Sequence, residues 1–569
     1  MPERIVAASG GLSAHLFLSA KFLDVPQLPD VLARIKICIT RLVIWKTNYY
    51  NATSLTDAYG LHVMLTLTGY IPSSITRAGC AGAGRRLSRS TYGLLTVRKF
   101  STGHVNGQWQ ALTWTTQQPN HVTPDDIIPS YTRLLPSSKQ SPIVPILFAS
   151  PEFTAWTEPT GPLLSQWATP LLEQIHRSEA PKTVYTIVAV VDKVSSGGNI
   201  STSTEGLSLL LADSSCITAS IATPARLKSN SSDEPAFFLA TRKSETNAQS
   251  HEIGLRLAQT VFRNGRDRTL LGMRWTRDEA SNNYILDRYH DLSSCSVTAP
   301  VQETYCAVNV PFHPVTQRRR VVSSMGNILR QVSKFTTDDG DTNAGIPASA
   351  ELEKELPRYV SERGIPHQRV AVWALVEPAA SSSTEITQQN IQNSLSQGSK
   401  IHRVVSGGGG WGKKQGLLSL DPEVTFAAGI RSREISLDEV FTAFSETDPV
   451  FTNDLPDFLE GLGLQVNIAQ LSQVASPGDY IQFFVTSEDD INYKDRSTPS
   501  TLTYSFGVGS PDESSETSPT TSEGVVVIQN HFGAVSESAI SYSQKDSSQA
   551  SEYETKISVP GSRIDLSVA

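Results

Sequence analysis

The apolar positions of this chain fall into two kinds of run, and their spacing predicts its elements. Residues 143–149 (IVPILFA), 183–194 (TVYTIVAVVDKV) and 206–213 (GLSLLLAD) are apolar on both faces, the pattern of strands covered from both sides. Between the first two, Leu164, Trp167, Leu171, Leu172 and Ile175 recur at helical spacing. Shorter strand patterns follow at 235–241, 269–276, 283–289 and 304–310, with 253–262 reading as a helix or long turn. Asp192 and Asp213 sit near the ends of two apolar strands, a place where ligand-binding groups occur, but closing a strand and starting a turn explains them better.

The second half alternates differently. In 317–334, Val321, Met325, Ile328, Leu329 and Val332 stand at the spacing of an amphipathic helix, opened by Arg318, Arg319 and Arg320. A helix start disfavours cations, so this triplet invites a phosphate or an acidic partner. A second helix is expected over 349–363, with Glu351, Glu353 and Glu355 early and Pro357 as a kink. Strands are expected at 367–376, 401–405, 415–420, 479–486, 501–506, 524–530, 534–542 and 555–565. Ser436 and Glu439 form a capping box for a short helix, and 455–464 reads as a helical turn. These elements together predict an α+β fold, a mixed sheet with flanking helices. Two lobes, 102–376 and 401–569, would be joined by a polar loop at 377–400, with an acidic Ser/Thr/Pro insert at 509–524.

Composition changes this picture in three places. The chain has 569 residues and a net charge of −8, so it carries no overall basic excess of the kind nucleic-acid proteins show. That average hides residues 58–124, which contain no Asp or Glu but include Arg77, Arg85, Arg86, Arg89, Arg98 and Lys99. The five cysteines form no CxxC pair and no zinc spacing, which suits buried thiols in a reducing compartment. The apolar run 31–45 is broken by charges and too short for a bilayer, so no transmembrane segment is expected.

Residues 77–103 (RAGCAGAGRRLSRSTYGLLTVRKFSTG) are rich in Arg, Ser, Ala and Leu and have no acid. They resemble a mitochondrial transit peptide, a cationic amphipathic segment drawn inward by acidic import receptors and the membrane potential. Arg98-Lys99-Phe100-Ser101 resembles a processing site. On this reading 64–101 is the presequence, 1–63 is an upstream extension outside the fold, and the import machinery is a partner through 77–103. The expected location is the mitochondrial matrix.

The segment that calls for chemistry is Gly407, Gly408, Gly409, Gly410, Trp411, Gly412, Lys413 and Lys414. It approaches the phosphate-binding pattern GxxxxGK[ST], but Lys414 stands where the magnesium-binding hydroxyl belongs. The following residues read as a strand rather than the helix whose amides would hold phosphate. A P-loop NTPase is therefore rejected. A strand–loop–strand remains, in which glycine amides and two lysines suit an anion and Trp411 suits a stacked base. No HxxxH or GxSxG occurs, and the histidines are scattered singly. The sequence thus supports a non-catalytic mitochondrial factor that binds RNA or a ribonucleoprotein, or assists assembly. The alternative is an enzyme or sensor holding a nucleotide or phosphorylated metabolite in the glycine loop, with Asp421 or His402 nearby.

Overall fold

β-Branched and aromatic residues dominate the apolar runs, and these runs form strands because branched side chains pack well on a pleated surface. The computed structural model describes residues 109–134, 142–177, 181–197, 205–222, 236–242, 249–266, 268–300, 304–334, 344–363, 370–380, 390–407, 416–424, 434–442, 473–486, 501–509, 524–546 and 553–568. All lie within the unit formed by residues 90–569. The extension 1–63, the presequence-like 64–101 and the turn at 455–464 lie outside the described residues, as does nearly all of the insert 509–524.

The expected helix-flanked α+β class is incorrect. Strand makes up 51% against 21% helix, and the architecture is large sheets with a closed six-stranded barrel. Buried strands do need cover on both faces, but most of that cover comes from other strands. The largest sheet runs in the order Val526–Gln529, Gln110–Thr116, Glu205–Asp213, Ile143–Ala149, Thr183–Val190, Leu270–Arg277, Tyr284–Ala299, Ala236–Thr241, Gln249–Arg256, Ile540–Asp546, Tyr553–Ile557. On one face the helix Pro162–Ile175 places Leu164, Trp167, Leu171 and Ile175 against Trp114, Leu209 and Trp275. On the other face a five-stranded sheet supplies Tyr504, Phe506, Phe532 and Ile564. Phe148 ties the two sheets together, with its ring 4.9 Å from Phe237 and 4.5 Å from Phe532.

Two local expectations also need correction. Residues 253–262 are not a helix: Gln249–Arg256 is a strand paired with Ala236–Thr241 and Ile540–Asp546, followed by the single turn Val261–Asn264. Residues 317–334 are a β-hairpin, Arg319–Met325 against Ile328–Ser333. Gly326, at φ +59, makes the reversal, which a residue with a Cβ would resist. The apolar stripe that suggested a helix divides accordingly. Val321, Leu329 and Val332 are buried, whereas Met325 is 62% exposed.

That hairpin belongs to the barrel, whose strands close in the ring Arg319–Met325, Ile328–Ser333, Leu418–Leu420, Lys400–Gly407, Trp373–Glu377, Tyr480–Thr486 and back to Arg319–Met325. Inside it lie Val321, Leu329, Val332, Ala374, Val376, Leu418, Leu420, Ile481, Phe483 and Val485. The helix Ala350–Glu362 adds Leu352 and Tyr359 to this core and runs through Pro357. The strand Trp373–Glu377, which leads into the segment 377–400, pairs directly with Lys400–Gly407, which follows it. Within that segment Ile391–Ser396 is helical and buries Ile391 and Leu395. Trp373, Leu375, Ile401 and Phe484 point outward from the barrel into the core shared with the sheets. The docked side is therefore centred on Trp373–Glu377, three strands around the ring from Ile328–Ser333. Among the described residues no helix is long and apolar enough to cross a membrane. Cys295 and Cys306 are buried free thiols, the latter pushed up to about 12 by burial.

Candidate functional site

The barrel hairpins contain both stretches that the sequence singles out. Lys400–Gly407 pairs antiparallel with Leu418–Leu420, so the glycine-rich segment joins two strands. Its feet require glycine. A Cβ on Gly407 would overlap Leu418 Cδ2 and lie 3.0 Å from the Leu417 carbonyl oxygen. Gly416 has φ +83, and its Cβ would come 2.6 Å from Pro347 Cβ. Gly407 is exposed at the barrel rim; Gly408, Gly409, Gly410, Trp411, Gly412, Lys413 and Lys414 lie outside the described residues.

The three arginines do different things because a strand sends alternate side chains to opposite faces. The Nε of Arg318 donates to Glu377 Oε2 at 2.6 Å, and its guanidinium lies 3.6 Å from the centre of the Tyr480 ring. Glu377 is fully buried and Arg318 only 19% exposed, so this pair is part of the barrel wall. Arg319 turns to the helix Ala350–Glu362, donating to Glu351 Oε2 at 2.9 Å and to the Lys334 carbonyl at 2.6 Å. The first turn of this helix also meets the glycine-rich loop, where the Ser349 amide donates to the Gly416 carbonyl at 3.2 Å. Arg319 and the foot of the loop are thus brought to one place. Arg320 makes no ion pair among the described residues.

Two further arginines join this surface. Arg330 and Arg403 are exposed on the barrel exterior and make no ion pair among the described residues. Sequence reasoning passed over both, although a signal was available. Residues 304–337 contain no Asp or Glu but hold Arg318, Arg319, Arg320, Arg330 and Lys334. Residues 386–420 likewise contain none but hold Lys400, Arg403, Lys413 and Lys414. The fold places these two acid-free stretches side by side, since Ile328–Ser333 pairs with Leu418–Leu420, which pairs with Lys400–Gly407. Asn327 locks the junction, its side-chain amide donating to Ser419 Oγ at 3.1 Å and to the Leu420 carbonyl at 3.0 Å.

His402 and Asp421 do come together, but as structure. His402 faces the barrel interior, its Nδ1 2.8 Å from the Asp421 carbonyl oxygen, and burial pushes it down to about 4, so it is neutral near pH 7. The Asp421 carboxylate receives Lys556 Nζ at 3.1 Å, and Glu423 pairs with both Lys556 and Arg256. This cluster joins the end of the Leu418–Leu420 strand to the large sheet. Elsewhere, the apolar niche between Trp114, Phe153, Leu207 and Val525 leaves no room for a water molecule and so is not a small-molecule site. Among the described residues no group of His, Cys, Asp and Glu could hold a metal ion. Comparison with known protein families, curated protein sequences and solved structures returns no match.

Proposed function

We propose that this protein is a non-catalytic RNA-binding factor of the mitochondrion, acting within mitochondrial gene expression, and that it holds RNA on the two barrel hairpins that lack acidic residues. The observation that carries this reading is the adjacency of the two acid-free hairpins. Arg330 and Arg403 then stand exposed on neighbouring hairpins, and neither makes an ion pair among the described residues, as a phosphate backbone requires. The net charge of −8 does not oppose this, because phosphate responds to local potential within a Debye length of about 8 Å. The composition of 77–103 supports delivery to the matrix.

The test is fluorescence anisotropy of the full chain with labelled RNA at increasing salt. Phosphate binding by several arginines loses affinity steeply between 50 and 200 mM salt, roughly a hundredfold or more. An enzyme or sensor using the glycine-rich loop would instead be stabilised thermally by one nucleotide or metabolite, without RNA binding. Location is tested separately: deleting 64–101 abolishes mitochondrial delivery, and unchanged location contradicts that part of the reading.

A further inference from the structure

The basic face of the barrel also carries apolar side chains that phosphate binding does not explain. Met325 is 62% exposed and Val405 65% exposed. By strand register Met325 lies opposite Ile328, Ile328 beside Ser419, and Ser419 beside Ser406, next to Val405 in the chain. These positions form one row crossing the hairpins, about 15 Å long at three inter-strand spacings of roughly 4.8 Å. Irregular pairing shapes the same face. The register shifts between Val404 and Ser406, leaving Val405 unpaired and turned out, and again between Ser323 and Ser324, opposite the unpaired Arg330. Bulges of this kind re-aim side chains at the cost of a ladder hydrogen bond.

Resting on the RNA-binding reading, we propose that the occupant of this face is single-stranded RNA whose bases lie on Met325, Ile328 and Val405. Arg330 and Arg403, exposed on the same hairpins, hold the phosphates. A duplex offers a protein its phosphates and 2′-hydroxyls and keeps its base faces stacked inside, so an apolar row in the middle of a cationic surface would lie against charged backbone. An unpaired strand presents base faces and phosphates together, and every base has an apolar face, so such a row binds with little sequence preference. Ser406 within the row supplies a hydroxyl for base edges.

The experiment measures anisotropy of the full chain with a labelled 15-nucleotide oligo(U) and with a blunt 15-base-pair RNA duplex at one salt concentration. The expected result is at least tenfold tighter binding of the single strand. Met325→Gln with Val405→Thr, both surface changes of similar volume, should weaken single-strand binding roughly tenfold and leave the salt slope unchanged. Equal or tighter binding of the duplex overturns the inference but leaves the basic face as an RNA site. Failure of the wild-type chain to bind either probe overturns the underlying reading as well. Unchanged single-strand affinity in the double variant overturns the inference. So does a change in sedimentation coefficient without a change in affinity, which would make the row a contact between copies. Met325→Gln alone serves as the second variant if the pair lowers the melting temperature.

Discussion

Arg318 separates a structural arginine from a functional one, and its replacement by alanine is the sharpest mutational prediction. Glu377 is fully buried and has Arg318 as its ion-pair partner, with Ser394 Oγ contributing a long hydrogen bond of 3.4 Å. Removing the guanidinium leaves a carboxylate in the wall between the barrel and the helix Ile391–Ser396, and also uncovers the Tyr480 ring that the arginine stacks on. Breaking a buried pair on one side costs about 3–5 kcal/mol. That corresponds to a fall in Tm on the order of 10 °C. Arg320→Ala, two residues on and without an ion pair among the described residues, should cost no more than about 0.5 kcal/mol. Arg318→Met combined with Glu377→Leu should recover much of the loss, since neither charge is then buried. The assay is thermal unfolding of the full chain by circular dichroism. Equal, small Tm changes for Arg318→Ala and Arg320→Ala, within about 2 °C of each other, would refute the reasoning and return Arg318 to the candidate RNA contacts.

Other outcomes follow from the same geometry. Gly416→Ala should destabilise by about 1–3 kcal/mol, read as a lower urea midpoint, because φ is +83 and Pro347 occupies the space for a Cβ; an unchanged midpoint would contradict it. Lys556→Met removes the ion-pair partner of Asp421 among the described residues and leaves Glu423 with Arg256 at the sheet–barrel junction; it should destabilise by about 1–3 kcal/mol, read from the same midpoint. Stability should also fall with acid. Burial holds His176, His251 and His402 down to about 4 and His531 to about 3, so each binds a proton in the unfolded chain before it does in the fold. Their contribution is complete above pH 6.5 and is lost progressively as pH falls towards 4, at about 1.4 kcal/mol per pH unit for each histidine. Asp192, raised to about 6 mainly by burial, works the other way and offsets about one of the four. Tm measured from pH 7.5 to 5 should therefore drop steeply, and His531→Gln should make the drop shallower by about one proton; a flat profile would contradict the burial of these rings.

Local chemistry made part of this fold legible. Thr183–Val190 is a strand because seven of its eight residues are buried and most are β-branched or aromatic, and the capping box is real, with the Ser436 amide donating to Glu439 and the Glu439 amide to Ser436 Oγ. What failed was deciding between two structures that bury the same residues. Val321, Leu329 and Val332 lie on one face of a helix, and they also meet inside a hairpin folded at Gly326 and Asn327. The Gly-Asn dipeptide was the available signal for the second. Barrel closure left no local trace, because it depends on Trp373–Glu377 pairing with Tyr480–Thr486, about a hundred residues away. The same holds for the site: nothing near Arg318 in the chain announces that Glu377 neutralises it. Arg330 and Arg403 become visible only when the absence of acids around them is noticed in both segments and the two are placed on neighbouring strands.

The central claim is that Arg330 and Arg403, on neighbouring hairpins, hold RNA phosphates. It is tested most directly by the slope of log affinity against log salt for single-stranded RNA, measured for the full chain and for the variant with both changed to alanine. Loss of two phosphate contacts predicts a slope shallower by about 1.4, with Tm unchanged. An unchanged slope, at an unchanged affinity, would contradict the account.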